Sequence, residues 1–149
     1  MVAYNFKAAF APPVTSGEKV LTMRRPRNGR ARHARIGDVL QLTTGARTKK
    51  RQVLATPTCA LRATVVLGPD TVVRVLEAAT DGSVRAQGVA MLLAQAEQGS
   101  PEAARWSDAL AKLDGFADYA AMYAWHASDD QVADGGRVTR ELIGWGPLP

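Results

Sequence analysis

The amino-acid sequence predicts one α+β domain over residues 1–149, with a small, mixed, barrel-like sheet flanked by helices on one side. Three observations predict it. Segments with strand-like alternation or short apolar runs between turn signals crowd into the first half of the chain. From Val89 onward the composition turns rich in Ala, Leu and Gln, which favours helices, before one last apolar segment at the C-terminal end. No linker and no internal repeat divides the chain. Strands in one block and helices in another are the mark of an α+β arrangement.

The elements follow in order. Tyr4 to Phe10 alternates partially, with aromatic residues at Tyr4, Phe6 and Phe10, and is expected as a strand. Pro13 to Ser16 suits a short helical turn that Gly17 stops. Lys19 to Arg24 is the second strand, with Thr22 and Arg24 on one face and Leu21 and Met23 on the other. Arg25 to Arg35 is a basic loop without apolar periodicity. A turn at Ile36-Gly37-Asp38 leads to a strand over Val39–Thr43, and a second basic loop runs from Thr44 to Arg51. Val53 to Leu67 is strand again, interrupted near Pro57, and a turn at Gly68-Pro69-Asp70 leads to a strand over Thr71–Ala78. Asp81-Gly82 is a hairpin signal leading into Ser83–Gln87. Val89–Glu97 is expected as helix, then a helix capped by Ser100 and started by Pro101 that runs to about Leu113, then a helix over Ala117–Ala127 carrying Tyr119, Met122 and Tyr123. An acidic loop, 129–136, precedes a closing strand over Arg137–Trp145.

Charge narrows the function classes. The net charge is +5, but residues 1–51 carry twelve Lys/Arg against two acids, and residues 52–149 carry seven against twelve. One half suits a polyanion and the other an ordinary hydrated surface. No apolar run approaches the ~20 residues of a membrane span, so no membrane partner is expected. The first residues lack the apolar core of a signal peptide, and Cys59 is the only cysteine, so a cytoplasmic, reducing setting is expected. No cofactor is expected, and no metal: His33 and His126 lie far apart without a cysteine or a suitably spaced carboxylate pair. His33 is expected as a solvated loop residue, Trp106 and Trp125 as core, Trp145 as exposed, and Tyr4 and Phe6 as core. A cation held by Asp129, Asp130 and Asp134 is a weaker reading than a hydrated loop.

The chemistry concentrates in Gly17-Glu18-Lys19-Val20-Leu21-Thr22-Met23-Arg24, which puts an amine, a hydroxyl and a guanidinium on one short strand. Cations at a strand end can hold phosphates. A hydroxyl beside a desolvated lysine can become a nucleophile, because burial lowers the amine's pKa and lets it act as a base. Spacing alone does not separate this from surface cations beside a β-forming threonine.

The arrangement resembles the ASCH domain family, relatives of the PUA-like fold, and in particular its phage and bacterial members. The residues that carry the resemblance are Phe6…Phe10-Ala11-Pro12, then Ser16-Gly17-Glu18-Lys19-Val20-Leu21-Thr22-Met23-Arg24, then Gly37-Asp38-Val39-Leu40-Gln41-Leu42, then Thr44-Gly45-Ala46-Arg47-Thr48. Late in the chain Asp114-Gly115-Phe116-Ala117-Asp118 and Leu142-Ile143-Gly144-Trp145 resemble the family's carboxylate-bearing helix start and its closing strand. The resemblance implies a PUA-like β-barrel with a cleft lined by the Lys-x-x-Thr-x-Arg strand and, against the compact members, a helical insertion at about 88–113. It implies a partner that is RNA, another nucleic acid, or a nucleoside or nucleotide. Compact members hydrolyse the acetyl amide of N4-acetylcytidine with a lysine, a threonine and a glutamate, and others are linked to ribonuclease activity. By position Lys19 corresponds to the lysine, Thr22 to the threonine and Asp114, one methylene shorter, to the carboxylate. The expectation is therefore a nucleic-acid- or nucleotide-binding domain, alternatively a hydrolase using Lys19, Thr22 and Asp114. The backbone of the ligand would be held by Arg24, Arg25, Arg27, Arg30, Arg32, Arg35, Arg47, Lys49, Lys50 and Arg51.

Overall fold

Strand-forming residues of the first half of the chain, joined by one late strand, build two separate sheets. The structure is a computed structural model that describes residues 1–27, 31–133 and 135–146. Strands β1 (Val2–Phe6), β3 (Leu40–Thr44) and β4 (Gln52–Ala55) make a mixed sheet in the order β1-β3-β4, with β1 parallel and β4 antiparallel to β3. Strands β2 (Leu21–Arg24), β5 (Cys59–Leu67), β6 (Val72–Thr80) and β7 (Val138–Trp145) make an antiparallel sheet in the order β2-β7-β5-β6. The α+β class holds, but the sheets do not close into a barrel. β2 pairs with β7 and β1 with β3, and an isolated bridge between Val39 and Thr58 joins the corner where the sheets meet. Alternation sets which face of a strand is apolar, whereas closure depends on partner choice and stagger, which alternation does not encode.

Strand β7 lies between two cores and shows why. Its residues alternate: Ile143 and Trp145 pack with Tyr4, Phe6, Leu40 and Leu42 of the mixed sheet, while Val138 and Leu142 pack with the helices. Arg140 shares the parity of Val138 and Leu142, so its guanidinium points to the helix side, where it is almost fully buried.

Among the described residues four α-helices complete the fold: α1 (Ala11–Ser16), α2 (Val84–Ala96), α3 (Ala103–Leu113) and α4 (Tyr119–Asp129). Helix α1 ends on Gly17 in the left-handed region (φ 85°), in keeping with its position after Ser16. Three sequence expectations are corrected. The first strand stops at Phe6, and Ala8–Phe10 forms a 3-10 turn that runs into α1. Asp81-Gly82 opens a helix rather than a hairpin, because the Ser83 hydroxyl accepts the Ala86 N–H and caps α2. Ser100 does not cap α3; Glu102 takes that position in a left-handed conformation (φ 57°), and the Ser100 hydroxyl donates back to the Ala94 carbonyl.

Candidate functional site

The segment Glu18–Val20 is irregular chain clamped from three sides, and this fixes Lys19. Its own N–H donates to the Pro13 carbonyl of α1, the Val20 N–H donates to the Leu113 carbonyl at the end of α3, and the Val20 carbonyl accepts the Trp145 N–H of β7. Asp114 is the C-cap of α3, its N–H bonded to the carbonyls of Leu110 and Ala111. The clamp therefore brings Lys19 to the carbonyl end of α3, where a cation satisfies orphaned carbonyls and the helix dipole. Lys19 Nζ donates to the Asp114 carbonyl at 2.6 Å and to Asp114 Oδ1 at 2.5 Å. Both side chains are almost fully buried, and the rings of Phe6 and Phe10 lie 5.3 and 5.1 Å from the amine. Desolvation is the larger influence and pushes the Lys19 pKa below its ordinary value; Asp114 opposes it through charge and hydrogen bonding.

The pair sits in a cleft of about 840 Å³ that Thr22, Arg24, Phe116, Trp125 and His126 help to line. That size suits a small organic ligand of nucleoside or nucleotide dimensions. Thr22 and Arg24 do share a face: Arg24 Nε donates to Thr22 Oγ1 at 3.1 Å, and Arg24 Nη2 donates to the Asn5 carbonyl at 2.9 Å. Because the Thr22 oxygen accepts from a guanidinium, its own proton is free to point elsewhere. The Arg24 guanidinium lies 4.8 Å from the Phe6 ring, and burial lowers its pKa from the usual arginine range.

The sequence-predicted cations divide into groups. Arg24, Arg25 and Arg27 line the cleft. Arg25 is paired with Asp129 and Asp130 across the cleft wall. Arg32 is paired with Asp38 at 2.9 Å. Arg35 lies at a separate depression of about 260 Å³ with Arg62 and Glu141. Arg47, Lys49, Lys50 and Arg51 are exposed on the turn after β3 and do not line the cleft. That turn is nonetheless tied to a cleft residue, since the Ala46 N–H donates to Asn5 Oδ1 at 3.0 Å. Arg30 and Asp134 lie outside the described residues.

Several residues have places other than those expected. His33 is buried rather than solvated: its Nδ1 meets Tyr4 Oη at 3.0 Å and its Nε2 meets the Arg25 carbonyl at 2.7 Å. Trp145 is buried and Trp125 is 40% exposed, the reverse of the expectation, because β7 runs through the centre of the fold while α4 presents Trp125 to the cleft mouth. Trp106 is half-buried against the helical core. Tyr4 and Phe6 are core, as expected. Trp125, Phe10 and Phe116 form an edge-to-face cluster with ring centres 5.4–5.8 Å apart. His126 and Arg140 also belong to the cleft, beyond the residues the sequence singles out; His126 follows Tyr119 and Met122 at helical spacing, a signal that extends the expected apolar stripe by one turn. Among the described residues no three His, Cys, Asp or Glu side chains come together as a metal site, and no helix is long and apolar enough to cross a membrane. Comparisons of this chain with protein-family models, with curated proteins and with solved structures returned no match.

Proposed function

We propose that this chain is an ASCH-like domain of the PUA-like class whose cleft binds a nucleoside, free or within RNA, and that Lys19, Thr22 and Asp114 hydrolyse an acyl amide on the base. The observation that carries the reading is the 2.5 Å contact between Lys19 Nζ and Asp114 Oδ1 inside a cleft that also holds Thr22. An amine whose pKa is lowered by burial and drawn back by a carboxylate can accept and return a proton, as a general base and then a general acid must. Thr22 supplies the hydroxyl that attacks the acyl carbonyl or holds the attacking water, and the Arg24 N–H on its oxygen stabilises the charge that develops there. Lys19 takes the proton lost by the nucleophile and delivers it to the exocyclic nitrogen as the carbon–nitrogen bond breaks. Where Thr22 attacks, water then hydrolyses the acyl–Thr22 ester; by either route the products are a carboxylate and the free amine of the base.

A second reading, a nucleic-acid-binding module without chemistry, is favoured by Arg25 and Arg27 at the cleft and by the exposed cations after β3. One set of assays separates the two. The protein is incubated with N4-acetylcytidine and with single-stranded RNA, with and without a divalent cation, and RNA affinity is measured over a range of salt concentrations. Deacetylation that falls at least about 100-fold in Thr22→Val, while RNA affinity persists, is the expected result. Salt-sensitive RNA binding without turnover of either substrate leaves the binding module. Neither turnover nor salt-sensitive binding overturns both.

A further inference from the structure

The proposed chemistry does not use His126, and His126 carries an anomaly. Its Nε2 is a buried side-chain nitrogen with no hydrogen-bond partner among the described residues. The residue is only 5% exposed, and an unpaired buried polar group costs about 1–3 kcal/mol. Most buried side-chain polar atoms have a hydrogen-bond partner, so the unpaired nitrogen calls for an explanation.

The other ring nitrogen explains where the proton lies. Arg140 Nε donates to His126 Nδ1 at 3.1 Å. A guanidinium has no acceptor, so Nδ1 presents its lone pair and the ring proton sits on Nε2. Arg140 is held in turn by Asp130, whose two carboxylate oxygens accept from Nη1 and Nη2 at 2.8 Å each. Asp130 also accepts from Arg25 at 3.1 Å, and Arg140 lies 3.8 Å from Asp129. The Nε2–H fixed by this chain faces Asp114 Oδ2 at 3.9 Å, while Oδ1 of the same carboxylate holds Lys19.

We propose that His126 is a positioning residue for the Lys19–Asp114 pair, locked as its Nε2–H tautomer by Arg140 and donating that proton's hydrogen bond to Asp114 Oδ2. Closing 3.9 Å to hydrogen-bond range takes a shift of about 1 Å. The carboxylate is then gripped at both oxygens and its plane is fixed, so the Oδ1–Nζ line along which Lys19 handles its proton is fixed too. Misplacement of a reacting group by about 1 Å can cost 100-fold in rate, so such a grip matters to turnover. The role in turnover rests on the proposed acid–base function of Lys19 and Asp114; the tautomer and the contact do not.

The test compares wild type with His126→Gln and His126→Phe. Glutamine keeps an acceptor for Arg140 and a donor for Asp114; phenylalanine keeps the ring's bulk and has neither. His126→Phe is expected to lower kcat for N4-acetylcytidine about tenfold or more with little change in KM, and His126→Gln to restore most of it. Independently of turnover, 15N resonances of wild-type His126 should show a protonated Nε2 and a bare Nδ1. The carboxyl 13C resonance of Asp114 should shift in His126→Phe and stay near its wild-type position in His126→Gln. A proton on Nδ1, or an Asp114 resonance identical in all three proteins, overturns the proposal. Should wild type hydrolyse no acylated nucleoside, the proposed function fails, and the resonances alone decide whether His126 positions Asp114.

Discussion

Lys19 and Asp114 are tolerable in the interior chiefly because their charges offset each other, with the Asp114 main-chain carbonyl as a further acceptor for the amine. Each is almost wholly removed from water, and the rings of Phe6 and Phe10 offer the amine no alternative strong acceptor. Removing one member of such a pair leaves an uncompensated buried group and costs about 3–5 kcal/mol, whereas removing both costs far less than the sum. Lys19→Met and Asp114→Asn are therefore each expected to lower the urea midpoint markedly, and the double variant to recover a large part of the loss. Additive losses would show that the two side chains are not coupled. At this scale the site is partly legible in the sequence. Lys19, Thr22 and Arg24 stand on one short segment, and strand parity puts Thr22 and Arg24 on one face, as the Arg24–Thr22 hydrogen bond shows. Asp114 stands out by its place before a late helix. His126 continues the Tyr119–Met122 spacing, but its contact with Arg140 is not legible, because it joins a helix face to a strand face fourteen residues on, and no local spacing encodes which faces meet.

Elements position the site through their ends, and two glycines let this be measured. Gly82, before α2, and Gly115, after Asp114, hold nearly the same left-handed backbone, with φ of 84° and 88°. A Cβ at Gly82 meets nothing within 4 Å, whereas at Gly115 it lies 3.1 Å from Phe10 Cδ1 and 3.4 Å from Lys19 Cδ. Gly82→Ala should therefore cost only the left-handed penalty of about 1–2 kcal/mol and leave ligand binding alone. Gly115→Ala should cost more and also weaken binding in the cleft, since Phe10 and Lys19 must both give way. Denaturant melts and nucleoside titrations of the two variants check this, and equal effects would mean that Phe10 moves aside freely. The Gly82 turn also explains why no hairpin forms there. An Asp-Gly pair specifies a left-handed turn, and the identity of the next element is decided by Ser83, whose hydroxyl starts a helix instead of a strand. Most helix and strand identities are thus legible from local signals. The pairing of β1 with β3 and of β2 with β7 is not, since alternation says which face is apolar and nothing about the neighbour.

At the scale of the whole molecule, the basic half of the chain is anchored to the core by a neutral histidine, and this makes stability depend on pH. Tyr4 Oη accepts the Ala34 N–H, so the tyrosine proton goes to His33 Nδ1, and His33 Nε2–H goes to the Arg25 carbonyl. Protonating Nδ1 would turn the Tyr4 proton away from that contact and charge a buried ring. Burial is the main cause that lowers the His33 pKa from its ordinary value, with the Arg25 carbonyl opposing it. The unfolded chain has no such restraint, and its histidine takes up a proton near an ordinary value of about 6.5. Below that pH the unfolded state binds more protons than the folded one, so stability is fully present above about pH 6.5 and is lost as pH falls toward the folded pKa. Asp38 and Asp130 also have lowered pKa values, through hydrogen bonds from the Arg35 N–H and from Arg140, but as carboxylates they withdraw their stability only at more acid pH, below about 4. The two windows are separate. The melting temperature should decline between pH 7 and 5 in wild type and stay flatter over that window in His33→Gln, with both proteins losing stability below about pH 4. A decline of the same slope in both would place the titrating group elsewhere and break the link between His33 and the anchoring of the basic segment.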